Sequence, residues 1–127
     1  MYEVSVEETF AAGHALRGYR GQCEKVHGHN YRVLGVIQGE RLDSNGLLVD
    51  FVELKRILRA IVERLDHAFL NDLPPFDQLN PTAENMARFF YEQLSQGLAG
   101  LAPENPVRVA EVKIWETDTA TATYRLP

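Results

Sequence analysis

Apolar and polar positions alternate from the start of the chain. Tyr2, Val4 and Val6 fall on one side and Glu3, Ser5 and Glu7 on the other. This is the period of a half-buried strand, predicted over residues 2–10. The alternation then stops. Residues 11–28 carry Gly13, Gly18, Gly21 and Gly28 with little apolar periodicity and read as a long loop, a length that in a compact domain usually marks function or mobility. Alternation resumes over 29–39 through Tyr31, Val33, Gly35 and Ile37, giving a second strand. After turn residues Asp43-Ser44-Asn45-Gly46, Asp50 is a good helix N-cap with Glu53 in capping-box position. Phe51, Leu54, Ile57, Leu58, Ile61 and Leu65 follow at helical spacing. A connector over 71–81 leads to a second helix, capped by Asn80 or Thr82 with Pro81 in its first turn. Met86, Phe89, Phe90 and Leu94 form its buried stripe. After a second connector, 97–106, residues 107–116 alternate again. A short turn at Thr117-Asp118 precedes a last strand over 119–126.

The order strand, strand, helix, helix, strand, strand predicts an α+β fold: a four-stranded antiparallel sheet with two helices on one face. The other face needs cover, which self-association often supplies. The 127 residues suit a single domain, 1–127, and 45% apolar content suffices for a core without staples. A net charge of -5 argues against a nucleic-acid partner, though a few convergent cations can still bind a small anion. There is no export signal at the N-terminus and no apolar run of membrane-spanning length. With a lone cysteine, Cys23, this gives the expectation of a cytoplasmic protein with no membrane contact.

Three of the four histidines, His14, His27 and His29, bracket the glycine-rich loop. His27 and His29 are two apart in extended chain and so share a face. A hairpin-like pairing of the first two strands would bring His14 to them. Three neutral imidazoles suit Zn²⁺ with a fourth position open; the competing reading is a surface pair with an unrelated His14. Cys23, four residues before His27, is a fourth ligand, a thiol activated beside a cation, or an inert loop residue. Asp66-His67 follows the first helix, as an acid/base pair or as a histidine favourable to the helix dipole. Glu116 ends a strand beside Trp115, where a carboxylate is ordinarily solvated. Thr82 and Glu84 most simply serve the helix start.

Six segments, in order, resemble one family: Phe-Ala-Ala-Gly-His (10–14), Cys-Glu-Lys-Val-His-Gly-His-Asn-Tyr (23–31), Asn-Gly-Leu-Leu-Val-Asp-Phe (45–51), Leu-Asp-His-Ala-Phe-Leu-Asn (65–71), Asn-Pro-Thr-Ala-Glu-Asn (80–85) and Trp-Glu-Thr (115–117). The family is that of the 6-pyruvoyltetrahydropterin synthases and the bacterial 6-carboxytetrahydropterin synthases of queuosine biosynthesis. The resemblance implies the tunnelling fold, subunits assembled as trimeric barrels stacked into homohexamers, and a pterin triphosphate substrate. It implies His14, His27 and His29 as zinc ligands and Cys23 as general base. Asp66 and His67 become an acid/base relay reaching a neighbouring subunit's site. Glu116 becomes the anchor of the pterin ring, with Thr82 near the pterin. Three residues between Cys23 and His27 resemble the 6-carboxy branch. Glu24 is expected to be a solvated loop carboxylate. Arg17, Arg20 and Lys25 are candidates for the triphosphate, with solvation the simpler reading for each. The rivals are the 6-pyruvoyl activity, a pterin-binding assembly protein without catalysis, and a non-catalytic zinc-binding module closed by Cys23.

Overall fold

The computed structural model describes residues 1–21 and 24–127. Its strands are β1 (Tyr2–His14), β2 (His27–Gly39), β3 (Ala68–Phe69), β4 (Val107–Thr117) and β5 (Ala120–Arg125), and its helices are α1 (Phe51–Leu65) and α2 (Ala83–Gly100). The sheet order is β3-β1-β2-β4-β5. All pairings are antiparallel except β1 with β3, which run parallel. The four expected strands and two helices are present. The fifth strand was missed because two residues are too few to show alternation.

Both strands flanking the glycine-rich segment run further than their apolar pattern suggested. Ala11, Ala12, Gly13 and Gly28 give almost no hydropathy signal, yet β1 and β2 stay in register to the pair His14 and His27. The closing turn is Asp118-Thr119, one residue later than the sequence indicated.

Asp50 caps α1, its side chain accepting from the Val52 N–H, while Glu53 turns to Arg56 at 2.7 Å. Thr82 caps α2 by accepting from the Asn85 N–H, so Pro81 sits just ahead of the cap and not in the first turn. The apolar stripes of both helices, including Leu54, Leu58, Met86, Phe90 and Leu94, cover one sheet face at Phe10, Tyr31, Val33, Ile37, Val112 and Ile114. Each such fully buried side chain contributes about 1.5–3 kcal/mol. Gly35 lets α2 lie close: a Cβ there would meet the Leu94 Cδ2 at 2.6 Å.

The opposite sheet face is mixed, with Leu34, Val36 and Trp115 among polar residues. Glu3, Ser5, Glu7 and Thr9 line it on β1, and the Arg32 guanidinium stacks 3.8 Å over the Trp115 ring.

Candidate metal centre and active site

The register of β1 with β2 builds the centre. His14 pairs with His27 and Ala12 with His29. Directly paired residues share a face, as do residues two apart in a strand. All three imidazoles therefore lie at one sheet end on the helix side, and one ligand atom of each lies within 4.8 Å of the others. This group can hold a metal ion.

The hydrogen bonds of two rings decide their tautomers. The buried His14 donates from Nδ1 to the Pro81 carbonyl at 2.8 Å, and His27 donates from Nδ1 to the Lys25 carbonyl at 3.0 Å. A carbonyl only accepts, so both protons sit on Nδ1. Both Nε2 atoms then present lone pairs, and these face each other at 3.0 Å. Two neutral rings so placed cannot donate to each other, and either a proton shared between them or a metal cation satisfies the pair. Two imidazole nitrogens on a tetrahedral zinc at about 2.0–2.1 Å stand roughly 3.3 Å apart. The donor set fits such an ion. Burial holds the His29 pKa below its ordinary value, and His14 and His27 add to this while Glu116 opposes it. Neutral imidazole is the form that binds metal.

Glu116 joins the cluster. Its Oε1 lies 3.6 Å from His14 Nε2 and 3.9 Å from His29 Nε2, so it is a carboxylate at the ion site and not an isolated solvated strand end. Tyr31 was not singled out from the sequence beyond its place in a motif. It is buried, its ring packs against those of His14 and His29, and its hydroxyl has no partner among the described residues. Burial raises its pKa and Glu116 adds to the rise. The available signal was its position two after His29 on the same strand face.

Asp66 and His67 form a second constellation at the end of α1. The Asp66 Oδ1 accepts from the Ala11 N–H at 2.9 Å and stands 3.0 Å from His67 Nδ1. His67 donates its own N–H to the Ala11 carbonyl at 2.6 Å, with φ of 58°. The pair is thus fixed to the edge of β1, where β3 begins. The His67 side chain is 83% exposed and lines a recess with Ala11, Gly13, Gly28, His29 and Asn30. It is not part of the three-histidine group of its own chain.

The Ala11 N–H holds the Asp66 carboxyl below its usual range, and His67 adds to this. A lowered carboxyl pKa stabilises the fold above the unfolded value of about 3.9, and the contribution is lost as pH falls through the folded value. Asp66→Asn is therefore expected to lower the urea midpoint at neutral pH. The gap from the wild type should narrow in acid, as pH falls below the unfolded value and through the folded one. A gap of equal size at neutral and acid pH would show that charge is not involved.

Cys23 lies outside the described residues. Thr82 is accounted for by its cap. The Arg17 guanidinium is committed to the carbonyls of Leu79, Asn71 and Phe76 at 3.3, 3.1 and 2.7 Å, so it is a structural clamp rather than a solvated or phosphate-binding cation. The Arg20 guanidinium lies over the Tyr19 ring, and Lys25 is exposed. Glu24 is half-buried and bonded to Leu16, which corrects the expectation of a solvated carboxylate.

Residues 3–127 match the family model described as 6-pyruvoyl tetrahydropterin synthase. The chain belongs to that family. Within the synthase family it is 30% identical to the 6-carboxy-5,6,7,8-tetrahydropterin synthase of Aquifex aeolicus, over 98% of each chain. It is 34% identical to the 6-pyruvoyl tetrahydrobiopterin synthase of Homo sapiens, over 83% of this chain and 71% of that one. The 6-pyruvoyl tetrahydropterin synthase structure from Caenorhabditis elegans superposes with a TM-score of 0.80 at 24% identity, covering 100% of this chain and 98% of that one. The fold is accordingly the α+β tunnelling fold of this synthase family. No helix among the described residues is long and apolar enough to cross a membrane.

Proposed function

We propose that this synthase-family chain is a zinc enzyme that converts 7,8-dihydroneopterin triphosphate and water to 6-carboxy-5,6,7,8-tetrahydropterin, acetaldehyde and triphosphate, in queuosine biosynthesis in the cytoplasm. The observation that carries the reading is the pair of imidazole lone pairs facing each other at 3.0 Å beside a third histidine, in a chain of this family. His14, His27 and His29 would hold Zn²⁺, which supplies Lewis acidity toward the substrate's side-chain hydroxyls.

The remaining roles fall to the protein's own groups. Cys23 accepts the proton from the first side-chain carbon of the substrate. Glu116, whose oxygen stands beside the ligand nitrogens, accepts from a polar N–H or O–H of the bound pterin. His67, oriented by Asp66 at 3.0 Å, exchanges protons with the side-chain oxygens. His67 is not among the three clustered histidines of its own chain, and in this reading it serves the site of a second copy. The reading therefore includes self-association, with the homohexamer as its expected form. Thr82 caps α2 next to Pro81, which bonds the ligand His14, and this puts it within the same neighbourhood.

The relative from Homo sapiens keeps a second reading in view, release of triphosphate and internal redox to the 6-pyruvoyl product. Incubation of the zinc-loaded protein with 7,8-dihydroneopterin triphosphate distinguishes the two. Acetaldehyde and 6-carboxytetrahydropterin in equal amounts are expected. A 6-pyruvoyl product would transfer the assignment to the second reading, and no consumption of the pterin would defeat both.

A further inference from the structure

The three residues after the ligand His14 are gripped on both sides by side chains, and one of the grips comes from Glu24. On one side, Ala15 donates its N–H to Asn71 Oδ1 at 3.0 Å, and Asn71 Nδ2 donates back to the Ala15 carbonyl at 2.7 Å. Arg17 and Asn80 make the same reciprocal pair at 2.7 and 3.0 Å. A side-chain amide presents a carbonyl and an N–H in one plane, as a peptide does, so each asparagine acts as one residue of a neighbouring strand. On the other side, the Leu16 N–H donates to Glu24 Oε1 at 3.0 Å, and the Glu24 N–H donates to the Leu16 carbonyl at 3.0 Å. The strip 15–17 thus continues β1 with two asparagine side chains as its partners on one side and Glu24, through both backbone and side chain, on the other.

Glu24 follows Cys23 and stands three residues before the ligand His27. Glu24 is held at both its backbone and its side chain, next in sequence to the residue to which the proposed reaction assigns proton transfer. We infer that Glu24 is a positioning residue: its carboxyl oxygen, together with its own N–H, pins the chain at residue 24 to the Leu16 backbone, and it takes no part in proton transfer. The inference rests on the functional reading above for the importance of Cys23. The pinning needs an acceptor oxygen and not a negative charge, so a glutamine serves and an alanine does not.

Two variants separate the possibilities, Glu24→Gln and Glu24→Ala, both zinc-loaded. In Glu24→Ala the Leu16 amide should exchange with solvent about tenfold faster relative to the Leu58 amide of the core, which reports global opening. The kcat should fall about tenfold or more with KM little changed, since a misplaced group costs turnover before it costs binding. Glu24→Gln should restore both the slow exchange and most of the turnover. Zinc content should match the wild type in both. Loss of turnover in Glu24→Gln as deep as in Glu24→Ala would overturn the inference, because the carboxylate would then be doing chemistry. So would a Glu24→Ala protein with wild-type exchange and wild-type kcat. If the wild type fails to consume the pterin, the functional reading falls and the Leu16 exchange alone decides the pinning.

Discussion

His14→Ala is expected to lose the metal and to unfold at a lower urea concentration, whereas His27→Ala loses the metal with its stability nearly intact. Both substitutions remove one of the three histidines that could hold the metal. Loss of even an outer-shell partner commonly costs 10–100-fold in metal affinity, so a missing ligand should weaken binding by more than about a hundredfold. The two positions differ in their surroundings. His14 is 2% exposed, bonds the Pro81 carbonyl and packs edge-on against His27, His29 and Tyr31. Its removal leaves a buried carbonyl unpaired, at about 1–3 kcal/mol, and opens a space where the ring was. His27 is exposed, and its bond to Lys25 is a local one, so its truncation should stay within about 0.5 kcal/mol in the metal-free protein. Metal content by elemental analysis and urea midpoints after chelation check the two arms. Full metal occupancy in either variant would remove these histidines from the ligand set.

Cys23→Ala is expected to retain zinc and the wild-type urea midpoint while turnover of the pterin falls about 10²–10⁴-fold, the range for loss of a general base. Three imidazoles with an open position already make the ligand set of a catalytic site, so the sulfur is not needed for binding. A Cys23→Ala protein that loses both zinc and stability would instead mark a closed four-ligand site, and with it a structural module in place of an enzyme.

Much of this architecture is visible in the chain before it folds. The helical stripes through Leu54, Leu58, Met86 and Phe90 and the alternation through Tyr31, Val33 and Ile37 bury as their periods require. The spacing of His27 and His29 likewise fixes their common face. Three features were hidden, for separate physical reasons. The last four residues of β1 are alanine, glycine and histidine, which pair through the backbone without a hydropathy signal. The two residues of β3 are set by the turn in which His67 takes a left-handed φ and bonds Ala11. The uses of Arg17, Asn71, Asn80 and Glu24 depend on partners many residues away or across the loop. Long-range polar pairing of this kind leaves no periodicity to read. Tyr31 is a middle case: its face was predictable, but not that its hydroxyl would be buried without a partner.

The bond from His14 to the Pro81 carbonyl would give an ion at the three histidines a reach beyond them. Held by these rings alone, it would close only the short stretch from residue 14 to residue 29. The imidazole of His14 would carry that closure across to a carbonyl 67 positions later in the chain, immediately ahead of the cap of α2. An ion held there would be tied, through this one bond, from the first strand to the mouth of the second helix, a segment that donates no ligand and that a list of coordinating residues would leave out.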